Sequence, residues 1–176
     1  MCLRFASGRR LVYKPRPVAA ARHFQDLLAW MNAQQYSAPF RLLTIVDKST
    51  YGWIEFIPYA GCTEQEQVRR FYQRLGGLLG VLYIIGGSDI HRENLIAAGE
   101  FPMLIDLETL LRPQIRPNAF EAAFYDSVVA VGLLPYQTGG SREAQGVDLS
   151  GVGGHAGQLV LARTPARFCV EHQRAG

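Results

Sequence analysis

The feature that most constrains this chain is a long helical segment that turns apolar halfway along and is then cut off by two glycines. Thr63-Glu64-Gln65-Glu66 reads as its start, because a Thr side chain can accept a backbone N–H and acidic residues favour the positive end of a helix. From Leu75 the residues are almost wholly apolar to about Ile85, which predicts a helix with a buried second half. Gly86-Gly87 ends it and releases the polar loop Ser88-Asp89-Ile90-His91-Arg92-Glu93-Asn94. The apolar run Leu75 to Gly87 is shorter than the ~20 residues that a bilayer demands, so the segment belongs in a protein core and no membrane span is expected.

The rest of the chain is read around that helix. Ser7-Gly8 predicts a turn feeding the strand Leu11-Val12-Tyr13-Lys14, which Pro15 and Pro17 end. Phe24, Leu27, Leu28 and Met31 recur at helical steps within Val18 to Ala33. Phe40 to Val46 and Tyr51 to Ile57 read as an antiparallel pair about Asp47-Lys48-Ser49-Thr50, with Trp53 and Phe56 on opposite faces because an odd step separates them. After the polar loop come two short strands, Leu95 to Ala98 and Met103 to Leu107, joined by a turn at Gly99-Glu100-Phe101-Pro102. A helix around Phe120 to Gly132 and a glycine-rich mobile loop from Gly139 to Gly157 complete the reading. Helices and antiparallel strands that do not alternate as parallel-sheet units make this α+β.

With 176 residues, 48% of them hydrophobic, the chain can bury one sizeable core. Eighteen basic against 15 acidic residues leave a formal charge of +3. That excess is too small and scattered to call for nucleic acid. The one dense basic stretch, Arg9, Arg10, Lys14 and Arg16, suits phosphate contact, but a solvated strand edge is the commoner cause of such a run. Cys2, Cys62 and Cys169 are odd in number and far apart, so neither a disulfide framework nor a zinc site is indicated, and a reducing cytoplasm is expected.

Asp89, His91 and Asn94 form D-x-H-x-x-N in a loop, and Asp106 follows a hairpin. Each residue alone has a bland reading: a strand-end lysine, a turn aspartate, a hydrogen-bonded histidine, a turn asparagine. Asp106 and Glu108 alternate about Leu107 as polar strand residues would. Their joint order carries more. Phosphoryl transfer requires a group to orient or deprotonate an acceptor hydroxyl, oxygen ligands for magnesium, and a lysine on the nucleotide phosphates. Asp89, supported by His91, suits the first role, Asn94 and Asp106 the second, and Lys14 the third. Strand lysine, helix, two strands, long apolar helix, polar loop, hairpin and aspartate succeed one another as the parts of a kinase do.

Leu11-Val12-Tyr13-Lys14-Pro15-Arg16, Tyr51-Gly52-Trp53-Ile54-Glu55-Phe56-Ile57, Ser88 to Ala97 and Pro102 to Leu110 resemble successive motifs of the dehydratase domain of class II (LanM-type) lanthionine synthetases. Asp148-Leu149-Ser150-Gly151-Val152-Gly153-Gly154 resembles a later stretch of that domain. The resemblance implies a two-lobe, kinase-like fold related to lipid kinases and present in part. Residues 1–60 would form a partial small lobe and residues 61–176 a partial large lobe. It implies ATP and Mg2+ as cofactors and a ribosomally made precursor peptide as partner, whose Ser and Thr side chains are phosphorylated before phosphate is eliminated to leave dehydroamino acids. Under it Lys14 contacts nucleotide phosphate, Asp89 is the catalytic aspartate and His91 assists. Asn94 and Asp106 hold magnesium with Glu108 nearby, and Glu55-Phe56-Ile57 lies where kinases have the adenine-binding hinge.

Relative to the family pattern, the expected Gly-, Asp- and His-containing segment before the first strand is missing, and the sequence stops short of the elimination residues and the zinc-dependent cyclase. The expectation is therefore a piece of the domain that retains its phosphoryl-transfer residues, with a remaining part of the synthetase as a further partner. Two rivals stand beside it: a non-catalytic, partner-binding remnant, and a small-molecule kinase indifferent to a leader peptide.

Overall fold

The opening hairpin forms as its glycine predicts. Gly8 sits at φ +80°, where a side chain would be strained, and the Phe5 N–H donates to the Arg9 carbonyl at 2.9 Å. This turn joins β1 (Cys2–Arg4) to β2 (Arg10–Lys14). The computed structural model describes residues 1–107, 110, 124–136, 148 and 150–152. Beyond β2 the order is α1 (Ala19–Ala33), β3 (Ile45–Asp47), β4 (Gly52–Glu55), α2 (Gln65–Ile84), then β5 (Leu95–Ala98) and β6 (Phe101–Leu104).

The first four strands form one antiparallel sheet in the order β1-β2-β4-β3. Its two faces differ. Val12 pairs with Ile54 and Lys14 with Gly52, so these four share the inner face. There Val12 and Ile54 pack with Val18, Leu43, Ile57 and Met103. Tyr13 and Trp53 pair on the other face with ring centroids 5.0 Å apart. Phe56 lies under the Arg10 guanidinium at 3.8 Å. Arg10 and Tyr13 are an odd step apart on β2, so Phe56 and Trp53 do lie on opposite faces.

α1 and α2 share the larger core. Phe24 and Leu28 of α1 meet Leu75, Leu78, Val81 and Leu82 of α2, together with Phe40, Ile90, Leu104, Leu107, Val131 and Leu133. Leu82 and Ile90 are fully buried. The β5–β6 hairpin links the two cores, because Met103 faces the sheet cluster and Leu104, one pleat on, faces the helical one. Its turn is closed by Gly99 at φ +63°. Arg74, buried within α2, clamps that turn: Nη1 donates to the Glu100 carbonyl at 2.9 Å and Nε to the Pro39 carbonyl at 2.8 Å.

Several expectations are corrected. The strand predicted from Phe40 begins only at Ile45, because side chains satisfy the backbone before it. Asn32 bonds both the N–H and C=O of Phe40 at 2.8 Å, Gln25 accepts from the Leu43 N–H at 2.8 Å, and Glu55 accepts from the Thr44 N–H at 2.8 Å. The second hairpin strand starts at Phe101 rather than Met103, since Gly99 and Glu100 alone make the turn. Thr63 does not cap α2 with its side chain. Instead Gln67 reaches back and accepts from the Thr63 N–H at 2.9 Å. The end of α2 is buried on one side only, with Ile84 83% exposed. Of the helix expected around Phe120 to Gly132, Phe124 and Tyr125 are helical, whereas Val128–Val131 is a 3-10 turn stopped by Gly132 at φ +82°; Phe120 to Ala123 lie outside the described residues. Most of the Gly139 to Gly157 stretch does too, but Ser150 is buried, and the Gly151 N–H bonds the Gly132 carbonyl at 2.9 Å.

Candidate functional site

Lys14 and Asp106 lie 92 residues apart in sequence, yet Lys14 Nζ donates to Asp106 Oδ2 at 3.1 Å. Two local devices bring them together. Lys14 ends β2 on the inner face, opposite Gly52, whose missing side chain makes room for Val18: a Cβ there would meet Val18 Cγ2 at 2.2 Å. Asp106 leaves the open end of the β5–β6 hairpin, where the Ile105 N–H donates to the Asn94 carbonyl at 3.0 Å. The hairpin thus sets Asn94 opposite the residue just before Asp106.

Arg16 joins the pair, its Nη2 donating to Asp106 Oδ1 at 2.7 Å and Oδ2 at 3.0 Å. Sequence reading left Arg16 as a member of a basic run. What places it is the bend at Pro15 and Arg16 directly after β2, through which Arg16 reaches the carboxylate that Lys14 also meets. One carboxylate thus meets two cations, and all three side chains are partly exposed, at 21%, 39% and 29% for Lys14, Arg16 and Asp106.

The polar loop is fixed by its backbone. Ile90 is fully buried and its N–H donates to the Val131 carbonyl at 2.9 Å. Gly132 and Gly151 allow close approach, since a Cβ on either would lie 3.0 Å from the Ile90 backbone. Asn94 folds the loop back: its N–H donates to the His91 carbonyl at 2.9 Å and its Nδ2 to the Asp89 carbonyl at 3.0 Å. Asp89 takes φ +62°, a left-handed conformation that short polar side chains tolerate best. His91 forms an isolated bridge with Ser150, which carries part of the Asp148 to Gly154 motif to the loop. The His91 ring is flanked on both nitrogens, by the Glu93 N–H at 3.3 Å from Nδ1 and by Asn94 Nδ2 at 3.4 Å from Nε2.

Fit to a divalent ion turns on the oxygens left over. Among the described residues no three His, Cys, Asp or Glu side chains converge as a metal site. The hard donors present are the Asp106 carboxylate and Asn94 Oδ1, whose Nδ2 is spent on Asp89 while the oxygen accepts no bond from another described residue. Such a pair suits magnesium, which takes one or two protein oxygens and draws its remaining ligands from phosphate and water. Glu108 lies outside the described residues. The predicted hinge residues are placed where the sheet leads towards the hairpin, but their side chains are engaged there. Glu55 accepts from Arg41 at 3.0 Å, and Ile57 is core. Two residues beyond Pro58, the Ala60 N–H bonds the Ala97 carbonyl at 2.9 Å. No described helix is long and apolar enough to cross a membrane.

Comparison with known proteins agrees with the motif reading. A family model described as Domain of unknown function (DUF4135) matches residues 1–169. The chain is also 32% identical over 142 residues to the lacticin 481/lactococcin biosynthesis protein LcnDR2 of Lactococcus lactis subsp. lactis, a match that covers 72% of this chain and 15% of that protein. The chain therefore spans a small part of the length of the curated relative it matches.

Proposed function

The chain belongs to the DUF4135 family, and from that membership and the geometry around Asp106 we propose that it serves lanthipeptide biosynthesis as a nucleotide- and magnesium-dependent phosphoryl-transfer unit acting on Ser and Thr of a precursor peptide. The observation that carries the reading is the Lys14–Asp106 ion pair, in which a strand-end lysine and a carboxylate after the D-x-H-x-x-N hairpin meet at 3.1 Å. The similarity to a lacticin biosynthesis protein supports the same pathway class. In this reading the fold is kinase-like: the four-stranded sheet with α1 is the small lobe, and α2 with the hairpin and polar loop belongs to the large one.

Each residue then has a task that its surroundings suit. Lys14 neutralises charge on the nucleotide phosphates, since its ammonium lies at the mouth of the inner sheet face. Asn94 Oδ1 and Asp106 hold the Mg2+, with Glu108 nearby. That ion supplies charge neutralisation on the phosphoryl oxygens when bound. Asp89 is exposed, and its carboxylate accepts no hydrogen bond from another described residue, which leaves it able to orient a substrate hydroxyl and take its proton. His91, beside Asn94 and Glu93, supports Asp89 or contacts the transferring group. ATP would lie with its adenine along the backbone of Glu55-Phe56-Ile57, whose side chains are turned to other partners. Phosphate elimination is proposed for the complete enzyme rather than for these residues. A precursor peptide, and the remainder of a synthetase, are the expected partners.

The deciding experiment is phosphate incorporation into a serine-containing precursor peptide by the full chain with ATP and Mg2+, beside the Asp106→Ala protein. Transfer abolished in the variant is expected. Transfer retained by Asp106→Ala removes that carboxylate from the site, and transfer to free alcohols or sugars without peptide preference would replace the peptide by a small-molecule acceptor.

A further inference from the structure

The Asp106 carboxylate holds two cations at once, Lys14 at 3.1 Å and Arg16 at 2.7 Å. The arrangement is built into the chain path: β2 ends at Lys14 and a bend at Pro15 and Arg16 follows, so that the two cationic side chains close as a fork on one carboxylate. Both tines end on the oxygens that the proposed function assigns to Mg2+. Occupied this way, Asp106 has its charge compensated and both oxygens engaged, so a divalent ion arriving alone must compete with two charge-assisted hydrogen-bond donors. A nucleotide changes that balance, because its phosphates offer both cations a replacement anion, and Arg suits the bidentate geometry of phosphate.

We propose that Arg16 is a second phosphate-binding cation that, together with Lys14, keeps Asp106 occupied until nucleotide arrives, so that metal and nucleotide bind as a coupled pair. This rests on the reading of Asp106 as a metal ligand given above. The coupling runs in both directions by linkage, since whatever nucleotide contributes to metal affinity, metal contributes equally to nucleotide affinity. Exposure of 39% lets the Arg16 side chain swing from carboxylate to phosphate without unpacking the core. Lys14, at 21%, is the more fixed of the two.

The test follows binding rather than turnover. Free Mn2+ is titrated into the full chain and monitored by its paramagnetic resonance signal, with and without saturating ADP, and ADP is titrated calorimetrically with and without Mn2+. The wild type is expected to bind Mn2+ weakly alone and at least about tenfold more tightly with ADP. In Arg16→Gln, which keeps a side chain of similar reach, Mn2+ alone is expected to bind roughly fivefold more tightly, ADP roughly tenfold more weakly, and the coupling to shrink accordingly. Arg16→Lys restores part of the coupling if charge is what matters. Wild-type coupling left unchanged in Arg16→Gln overturns this inference while leaving the nucleotide site intact. Loss of Mn2+ binding in Arg16→Gln overturns it as well, because it would make Arg16 a support for the site rather than a competitor. A folded wild type that binds neither ligand overturns the functional reading itself.

Discussion

The strand end that carries Lys14 and Arg16 and the loop that carries Asp89, His91 and Asn94 are ordered in opposite ways. At the strand end the side chains are committed, with both cations bonded to Asp106. In the loop it is the backbone that is committed. Ile90 is anchored on Val131, Asn94 ties the loop to itself, and the Asp89 carboxylate is left exposed. One half of the site holds charge ready to be exchanged, and the other holds a fixed scaffold with an open chemical group. Substitutions at the strand end should therefore act on binding, whereas those that spare the loop backbone should act on chemistry alone.

The largest effect expected is at Gly52, on which the strand end depends. Gly52→Ala places a Cβ within 2.2 Å of Val18 Cγ2 and faces Lys14 across the ladder. Separation of β4 from the start of α1 should cost about 3 kcal/mol, the upper range for overpacking a core. Urea unfolding would show it as a lower midpoint at unchanged slope. A cost below about 0.5 kcal/mol would mean that the seam yields freely and that Lys14 is not held by it.

Breaking the loop side requires a smaller change. Gly132→Ala combines φ +82° with a Cβ 3.0 Å from the Ile90 amide nitrogen. About 2 kcal/mol of destabilisation is expected, with phosphoryl transfer falling further than stability does, because the anchor of Ile90 is what aims Asp89. Equal loss at Gly52 and Gly132 of both binding and chemistry would erase the distinction between the two halves.

Asp89 itself separates scaffold from chemistry. At φ +62° an asparagine is tolerated nearly as well as aspartate, so Asp89→Asn should change stability by less than about 0.5 kcal/mol. Asp89→Ala should cost about 1 kcal/mol through the left-handed backbone. Both should lower phosphoryl transfer by a factor on the order of 10² to 10⁴ while nucleotide binding persists. Asp89→Asn retaining full transfer would return Asp89 to the role of a turn residue.

These contrasts also explain what was legible in the sequence. The helices and hairpins were, because Phe24, Leu28, Leu75 and Leu78 carry the helical period, and Gly8, Gly86 and Gly99 mark turns that need positive φ. The path of residues 40–44 was not. Its backbone is satisfied by Asn32, Gln25 and Glu55, side chains that composition assigns to solvent; Gln25 is 8% exposed. Of the site, the meeting of Lys14 with Asp106 was foreseeable from the order of motifs, and the Asn94–Asp106 neighbourhood from the hairpin. Arg16 was not, since a single arginine in a basic run reads as a surface charge, and the bend that turns it to Asp106, 90 residues on, shows only in the tertiary structure. Nor was the left-handed Asp89, whose conformation is imposed by anchors at Ile90 and Asn94 that lie in the tertiary structure.

The smallest effect expected lies outside the site, in the clamp that holds the hairpin against α2. Glu100 accepts from Arg70 and from Arg74 Nη2 at 3.2 Å. The hydrogen bond from Arg70, aided by the charge of Arg74, holds the Glu100 carboxyl below its ordinary value near 4.5. A carboxylate depressed on folding contributes stability that is complete above its unfolded pKa and is lost as pH falls through the folded one. The wild type should therefore exceed Glu100→Gln in stability at pH 7, and the gap should close on acidification below about pH 4.5. Arg74 would still bond the Glu100 main-chain carbonyl and the Pro39 carbonyl in that variant, so the hairpin should stay docked and the Asp106 site should keep its nucleotide affinity. Denaturant titrations of the two proteins across that pH range decide the matter. A pH-independent gap would assign the contribution of Glu100 to packing, and a fall in nucleotide affinity would make the clamp a part of the site that it supports from the far end of the hairpin.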